Sequence, residues 1–170
     1  MQPIYDILPD NLKNFAPDDK VWVYTAENLL SEEQQSIIKK ELNNFISNWE
    51  SHGEKVNADY TILKNRFIII AASIHKGALC GRAIDASVQF IKHLEKNLNN
   101  KLLNRMNIAI EHNNCIDVWS YPELMQKIEA KSLPENAFVF NPSVSTMQDL
   151  ADNWKQPVYQ SFLTLVNKNK

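Results

Sequence analysis

Residues 66–98 read Arg66-Phe67-Ile68-Ile69-Ile70-Ala71-Ala72, then Ser73-Ile74-His75-Lys76-Gly77-Ala78-Leu79-Cys80-Gly81-Arg82-Ala83-Ile84-Asp85-Ala86-Ser87-Val88, then a helical run to Leu98. The run 67–72 is apolar at odd and even positions alike. That is the pattern of a central strand covered on both faces. From Ala83 onward, Ile84, Val88, Ile91 and Leu98 fall on one stripe, with Phe90 and Leu94 beside it, which predicts an amphipathic helix. The segment between is polar and holds two of the chain's three glycines, Gly77 and Gly81, with Gly53 the third. Permissive residues used so sparingly suggest an unusual backbone path or a close approach, although a plain turn would also use them. Strand–loop–helix junctions often hold small ligands, because the first helical N–H groups have no intrahelical acceptor.

Working towards the N-terminus, Ala58–Leu63 alternates weakly and reads as a strand, joined to the next by a Lys64-Asn65 turn in which Asn suits a left-handed conformation. Ser31-Glu32-Glu33-Gln34 has the spacing of a capping box, the hydroxyl accepting from the backbone of residue 34 while Gln34 reaches back. Ile38, Leu42, Phe45 and Trp49 then form one stripe, so a helix runs to the vicinity of Gly53, with Trp49 facing the core and His52 near the helix end. Val21-Trp22-Val23-Tyr24 reads as a strand. The proline-rich residues 1–19 could carry a short helix through Ile4, Tyr5, Ile7, Leu8, Leu12 and Phe15.

Towards the C-terminus, 106–111 reads as a strand with Ile108 and Ile110 on one face, and 112–117 as a polar loop. Pro122 suits the first turn of a third helix to about Lys131. Ala137–Phe140 reads as a strand. Thr146 can cap a helix carrying Met147, Leu150 and Trp154, the last read as core in preference to an interface anchor. Pro157 breaks that helix or starts another through Phe162 and Val166. The order up to Glu111 is β-α-β-β-α-β, which is ferredoxin-like. The expectation is therefore a single α+β domain over residues 1–170: an antiparallel sheet with helices on one face, plus a C-terminal helix-strand-helix extension.

The 170 residues are 44 % hydrophobic and 22 % charged, with a formal net charge of −2. Such a charge gives no long-range pull towards nucleic acid, and Arg66, Arg82 and Arg105 are scattered, so no nucleic-acid partner is expected. No apolar run approaches the ~20 residues of a membrane span. Cys80 and Cys115 make no disulfide framework, which suggests reduced thiols and a cytoplasmic protein. His52, His75, His93 and His112 show no metal-ligand spacing, so neither a metal nor another cofactor is expected.

His75, Lys76, Cys80, Arg82, Asp85 and Ser87 crowd the loop and the helix start, with His52 as a further candidate ligand contact. Lys76, Arg82 and the helix N–H groups could bind a small carboxylate or phosphate. Asp85 argues partly against an anion, since it could itself cap the helix. Residue types alone favour capping and solvated charge. Cys80 could be activated by His75 or Arg82, although a free cysteine is more often a small buried hydrophobe.

Several short segments carry a resemblance: Val21-Trp22-Val23-Tyr24, Phe45 with Trp49 and His52-Gly53, Arg66-Phe67-Ile68-Ile69, Ile84-Asp85-Ala86-Ser87-Val88, Val139-Phe140-Asn141, and Trp154, Pro157 and Ser161. Spread over most of the chain, they resemble a family of short bacterial proteins often labelled "ABC transporter ATPase". That family implies Gly-Cys-Ser-Ile-Asp at the loop–helix junction, where this chain has Gly81-Arg82-Ala83-Ile84-Asp85. A thiol role therefore does not carry over to Cys80. The label also lacks its chemistry, because no Gly-x-x-x-x-Gly-Lys-Ser/Thr loop occurs. The resemblance implies a fold family without an activity.

The functional expectation is a soluble binding or protein-interaction module, with a homodimer plausible through an exposed sheet edge. The alternative is a small-molecule enzyme or anion binder using residues 75–87, with Asp85 as acid/base and Arg82 as clamp.

Overall fold

The computed structural model describes residues 8–75 and 77–165. Ile4, Tyr5, Ile7, Lys76 and Val166 lie outside them. The chain is α+β and, among the described residues, all the strand pairs are antiparallel. Helix α1 (Asp10–Lys13) precedes β1 (Lys20–Thr25) and α2 (Glu32–Ser47). A small hairpin, β2 (Glu50–Ser51) with β3 (Glu54–Lys55), leads to β4 (Asn57–Leu63) and β5 (Phe67–Ser73), then α3 (Gly81–Leu98). The remainder is β6 (Asn107–His112), β7 (Cys115–Ser120), α4 (Tyr121–Glu129), β8 (Phe138–Phe140), α5 (Met147–Asn153), β9 (Lys155–Pro157), a 3-10 turn at Val158–Gln160 and α6 (Phe162–Leu165).

The ladders depart from the expected ferredoxin-like sheet. One sheet has the order β1-β5-β4 and a second has β7-β6-β8-β9. Strand β6 pairs with β7 and β8 instead of lying beside β1 as the fourth strand of the first sheet. Side-chain alternation explains the stacking. From β1 and β5, Tyr24, Ile68, Ile70 and Ala72 face α2 and α3 and join Ile38, Leu42, Ile91 and Leu94. Val21, Val23, Phe67, Ile69 and Ala71 face the other way, towards Ala109 of β6, Phe140 of β8, and Met147, Leu150 and Trp154 of α5. On the far side of the second sheet, Ile108, Ile110 and Val139 pack on Leu124, Met125 and Ile128 of α4. The layers run helix, sheet, sheet, helix. Strand β5 is central and buried on both faces, as its unbroken apolar run predicts.

Local signals account for most of the elements. Ser31 Oγ accepts from Gln34 N–H (3.1 Å) and the Gln34 side chain accepts from Ser31 N–H (3.0 Å), so the capping box forms. Thr146 Oγ1 accepts from Asp149 N–H at 3.1 Å and starts α5. Lys64 and Asn65 both have positive φ (53° and 51°) and turn β4 into β5. Trp154 is buried, as expected of a core residue.

Four local expectations need correction. Helix α2 ends at Ser47, and the residues beyond it form the β2–β3 hairpin, so His52 sits on a tight turn and not at a helix end. His52 and Gly53 both have positive φ there, 54° and 79°. Residues 112–117 are not a loop: Asn113 and Asn114, both at positive φ, form a two-residue turn between the paired His112 and Cys115, and β7 follows. Pro157 lies in β9, an edge strand, where a missing N–H is tolerated. The buried face of α3 runs through Ala83, Ser87, Ile91, Leu94 and Leu98, which turns Ile84 and Val88 to its flank.

Candidate functional site

The ends of α2 and α3 are drawn together by aromatic rings. Phe45 stacks on Phe90 with centroids 4.5 Å apart and 14° between planes, and Trp49 lies 5.0 Å from Phe45. Trp49 is 2 % exposed, and its indole N–H donates to the Ala83 carbonyl at 2.9 Å. A buried Trp needs such an acceptor, and here it fixes the first turn of α3 against the end of α2. The β2–β3 hairpin closes the arrangement, with the Cys80 N–H donating to Ser51 Oγ at 2.9 Å.

An open groove of about 1550 Å³ lies between the two helices and the hairpin. Phe45, Trp49 and Phe90 contribute its apolar surface, Lys40 and Arg82 its cations, Glu41 and Glu50 its carboxylates. His52, Cys80 and Gly81 line the same groove, as does His93. His93 Nε2 lies 3.8 Å from Glu41, and Asn97 donates to the same carboxylate at 3.0 Å, tying α3 back to α2.

Cys80 is the N-cap residue of α3, in an extended conformation (φ −72°, ψ 159°). Its thiol is lowered from 9.0 to about 7. The largest cause is the Ser51 hydroxyl, which donates to the sulfur; the Ala83 N–H of the helix's first turn comes next. Burial opposes ionisation, while the His52 N–H and the charge of the His52 imidazole favour it. A helix N-terminus with hydrogen-bond donors is an environment that holds thiolate at neutral pH. Cys80 is only partly buried, so the sulfur is reachable.

The other sequence candidates separate. Arg82 and His52 line the groove with Cys80. His75 is exposed and is not among the groups acting on the thiol, and neither is Arg82. Asp85 is exposed, lies beyond the first turn, and caps nothing. Ser87 is buried and donates to the Ile84 carbonyl within α3 at 2.7 Å. Gly77 has φ +82°, as a special backbone path requires, but Gly81 is an ordinary first helical residue. Ser51 escaped the sequence reading. Its only signal is the His52-Gly53 turn that places it opposite Glu54, and a two-residue strand is too short to show alternation.

Among the described residues, no group of three or more His, Cys, Asp or Glu is placed to hold a metal ion, and no helix is long and apolar enough to cross a membrane. Comparison with protein-family models, with curated proteins and with solved structures found no match.

Proposed function

We propose that the protein is a small-molecule binding module that works through the α2–α3 groove, with the Cys80 thiolate as the group that engages its ligand. The carrying observation is convergence: Ser51, His52 and the first turn of α3, from two separate chain segments, all act on one accessible sulfur. The aromatic surface beside it suits a flat or apolar ligand body, and Lys40 and Arg82 suit a carboxylate. The ligand class that fits is a small disulfide or electrophile bearing a carboxylate. Attack of the thiolate on a disulfide forms a mixed disulfide and expels the second sulfur as thiolate, a reaction favoured when the attacking thiol titrates near ambient pH. Two free cysteines fit a reducing, cytoplasmic setting.

The test is iodoacetamide labelling of the full chain across pH, read by mass spectrometry, with Cys115→Ser to isolate Cys80. The expected labelling rate has its midpoint near 7. Labelling that rises only around 9, as for an ordinary thiol, would remove the reading.

A further inference from the structure

A second cavity, of about 390 Å³, lies on the opposite flank of α3, beside the free half of β1. It exists because β6 leaves β1. The start of β1 is covered, since Val21 N–H donates to the Ser145 carbonyl at 3.1 Å and Lys20 bridges Thr146. Beyond that point Trp22, Tyr24 and Thr25 border open space, closed on its other sides by Ile84 and Val88 of α3 and by the 102–107 connection.

The polar lining has one sign. Lys92 and Arg105 contribute cations, and no acidic side chain borders the cavity. Neither cation forms an ion pair or hydrogen bond among the described residues. Tyr24 is 8 % exposed, yet its hydroxyl has no hydrogen-bond partner among them. Buried phenols ordinarily find one. Among the described residues, Arg66 Nε and Trp154 Nε1 are the sealed side-chain polar atoms without partners; the Tyr24 hydroxyl is not sealed, so it meets the cavity it lines. Burial pushes this phenol up to about 12, and Arg105 is close enough to oppose that shift. The hydroxyl therefore stays a donor at any physiological pH.

We propose that this cavity binds a small amphipathic monocarboxylate, its carboxylate held by Arg105, Lys92 and the Tyr24 hydroxyl and its apolar tail lying along Ile84, Val88 and Trp22. An unpartnered donor and two unpaired cations on one cavity lack an acceptor with negative charge, and a carboxylate supplies both. The apolar walls exclude inorganic anions as a full match, because such ions would leave them wet. The volume lies within the range of small-ligand sites.

The experiment is calorimetric titration of the full chain with octanoate, octanol and acetate. Octanoate should bind, with octanol and acetate each weaker. Arg105→Ala and Tyr24→Phe should each weaken octanoate by roughly ten-fold or more, as expected for loss of one charge-assisted hydrogen bond. Arg105 is exposed, and Tyr24→Phe deletes a hydroxyl that bonds nothing among the described residues, so both variants should unfold at the wild-type temperature. Cys80→Ser should leave octanoate affinity unchanged, separating this cavity from the α2–α3 groove. No heat with millimolar octanoate, affinity unmoved by Arg105→Ala, octanol binding as well as octanoate, or dependence on Cys80 would each overturn the proposal.

Discussion

Helices α2 and α3 run side by side, yet they begin in opposite ways. The start of α2 is complete in itself: Ser31 and Gln34 exchange hydrogen bonds, and Glu32 and Glu33 complement the helix dipole. The start of α3 has a cysteine at the N-cap, a glycine and an arginine after it, no reciprocal capping box, and no acid in its first turn. What α3 lacks locally it receives from distant residues, Trp49 on the Ala83 carbonyl and Ser51 on the Cys80 N–H. A self-sufficient terminus has its donors occupied. One held in place from outside can keep its positive end for a sulfur.

Removing the outside support should produce the largest effect. Trp49→Ala is expected to lower the unfolding free energy by about 3–5 kcal/mol, as for other buried aromatics, and to slow Cys80 alkylation at neutral pH. Denaturant titration with labelling reads both. Loss of stability with the labelling profile intact would show that α3 holds its own first turn. Ser51→Ala comes next. Loss of its hydroxyl should raise the thiol towards its ordinary value, so the thiolate fraction near neutrality, and with it the alkylation rate, falls several-fold. The third change acts at the other helix: Ser31→Ala should cost about 1 kcal/mol and leave Cys80 titration unmoved. A shift in the thiol would break the contrast, since it would mean the two termini are coupled.

The remaining prediction is a pH dependence. The folded thiol titrates near 7 and an unperturbed one near 9.0, so the unfolded chain holds its proton to higher pH. Between those values the unfolded state binds more protons, and stability rises with pH. Relative to Cys80→Ser, the wild-type chain should gain stability as pH climbs from below 7 towards 9 and lose that gain as pH falls back through 7. Thermal unfolding of both chains across that window decides it. A parallel pair of curves would mean that the folded protein does not favour the thiolate.

Elements with local causes were legible in the sequence. The Ser31–Gln34 spacing, the Lys64-Asn65 turn, Pro122 and Thr146 each act within a few residues, and each has the expected structural role. The run 67–72 announced burial on two faces, but an apolar face does not say whether a helix or a second sheet will cover it. The split into two sheets therefore stayed hidden, and with it the cavity beside β1. The β6–β7 hairpin was missed because Asn113-Asn114 takes the left-handed pair of conformations without the glycine that usually marks such a turn. At the candidate site the crowding of residues 75–87 pointed to the right junction but to mixed neighbours. Cys80, Arg82 and His52 share the groove, whereas Ser51, the largest influence on the sulfur, comes from a hairpin about thirty residues away, a distance over which sequence spacing carries no geometry.

Splitting one sheet into two also multiplies strand borders, and an exposed border is a template for joining another chain. The borders here are blunted by different means. Strand β9 is three residues long and carries Pro157. Beside β4, the Asn11 side chain of α1 donates to the Tyr60 carbonyl at 3.3 Å. On β7 the Lys127 ammonium sits 4.6 Å from the centre of the Trp119 ring, setting a hydrated charge over an apolar side chain. The second half of β1 borders the cavity lined by Ile84 and Val88 of α3. Each of these borders meets the same hazard differently: β9 by brevity and a proline, β4 by a side-chain bond, β7 by a charge.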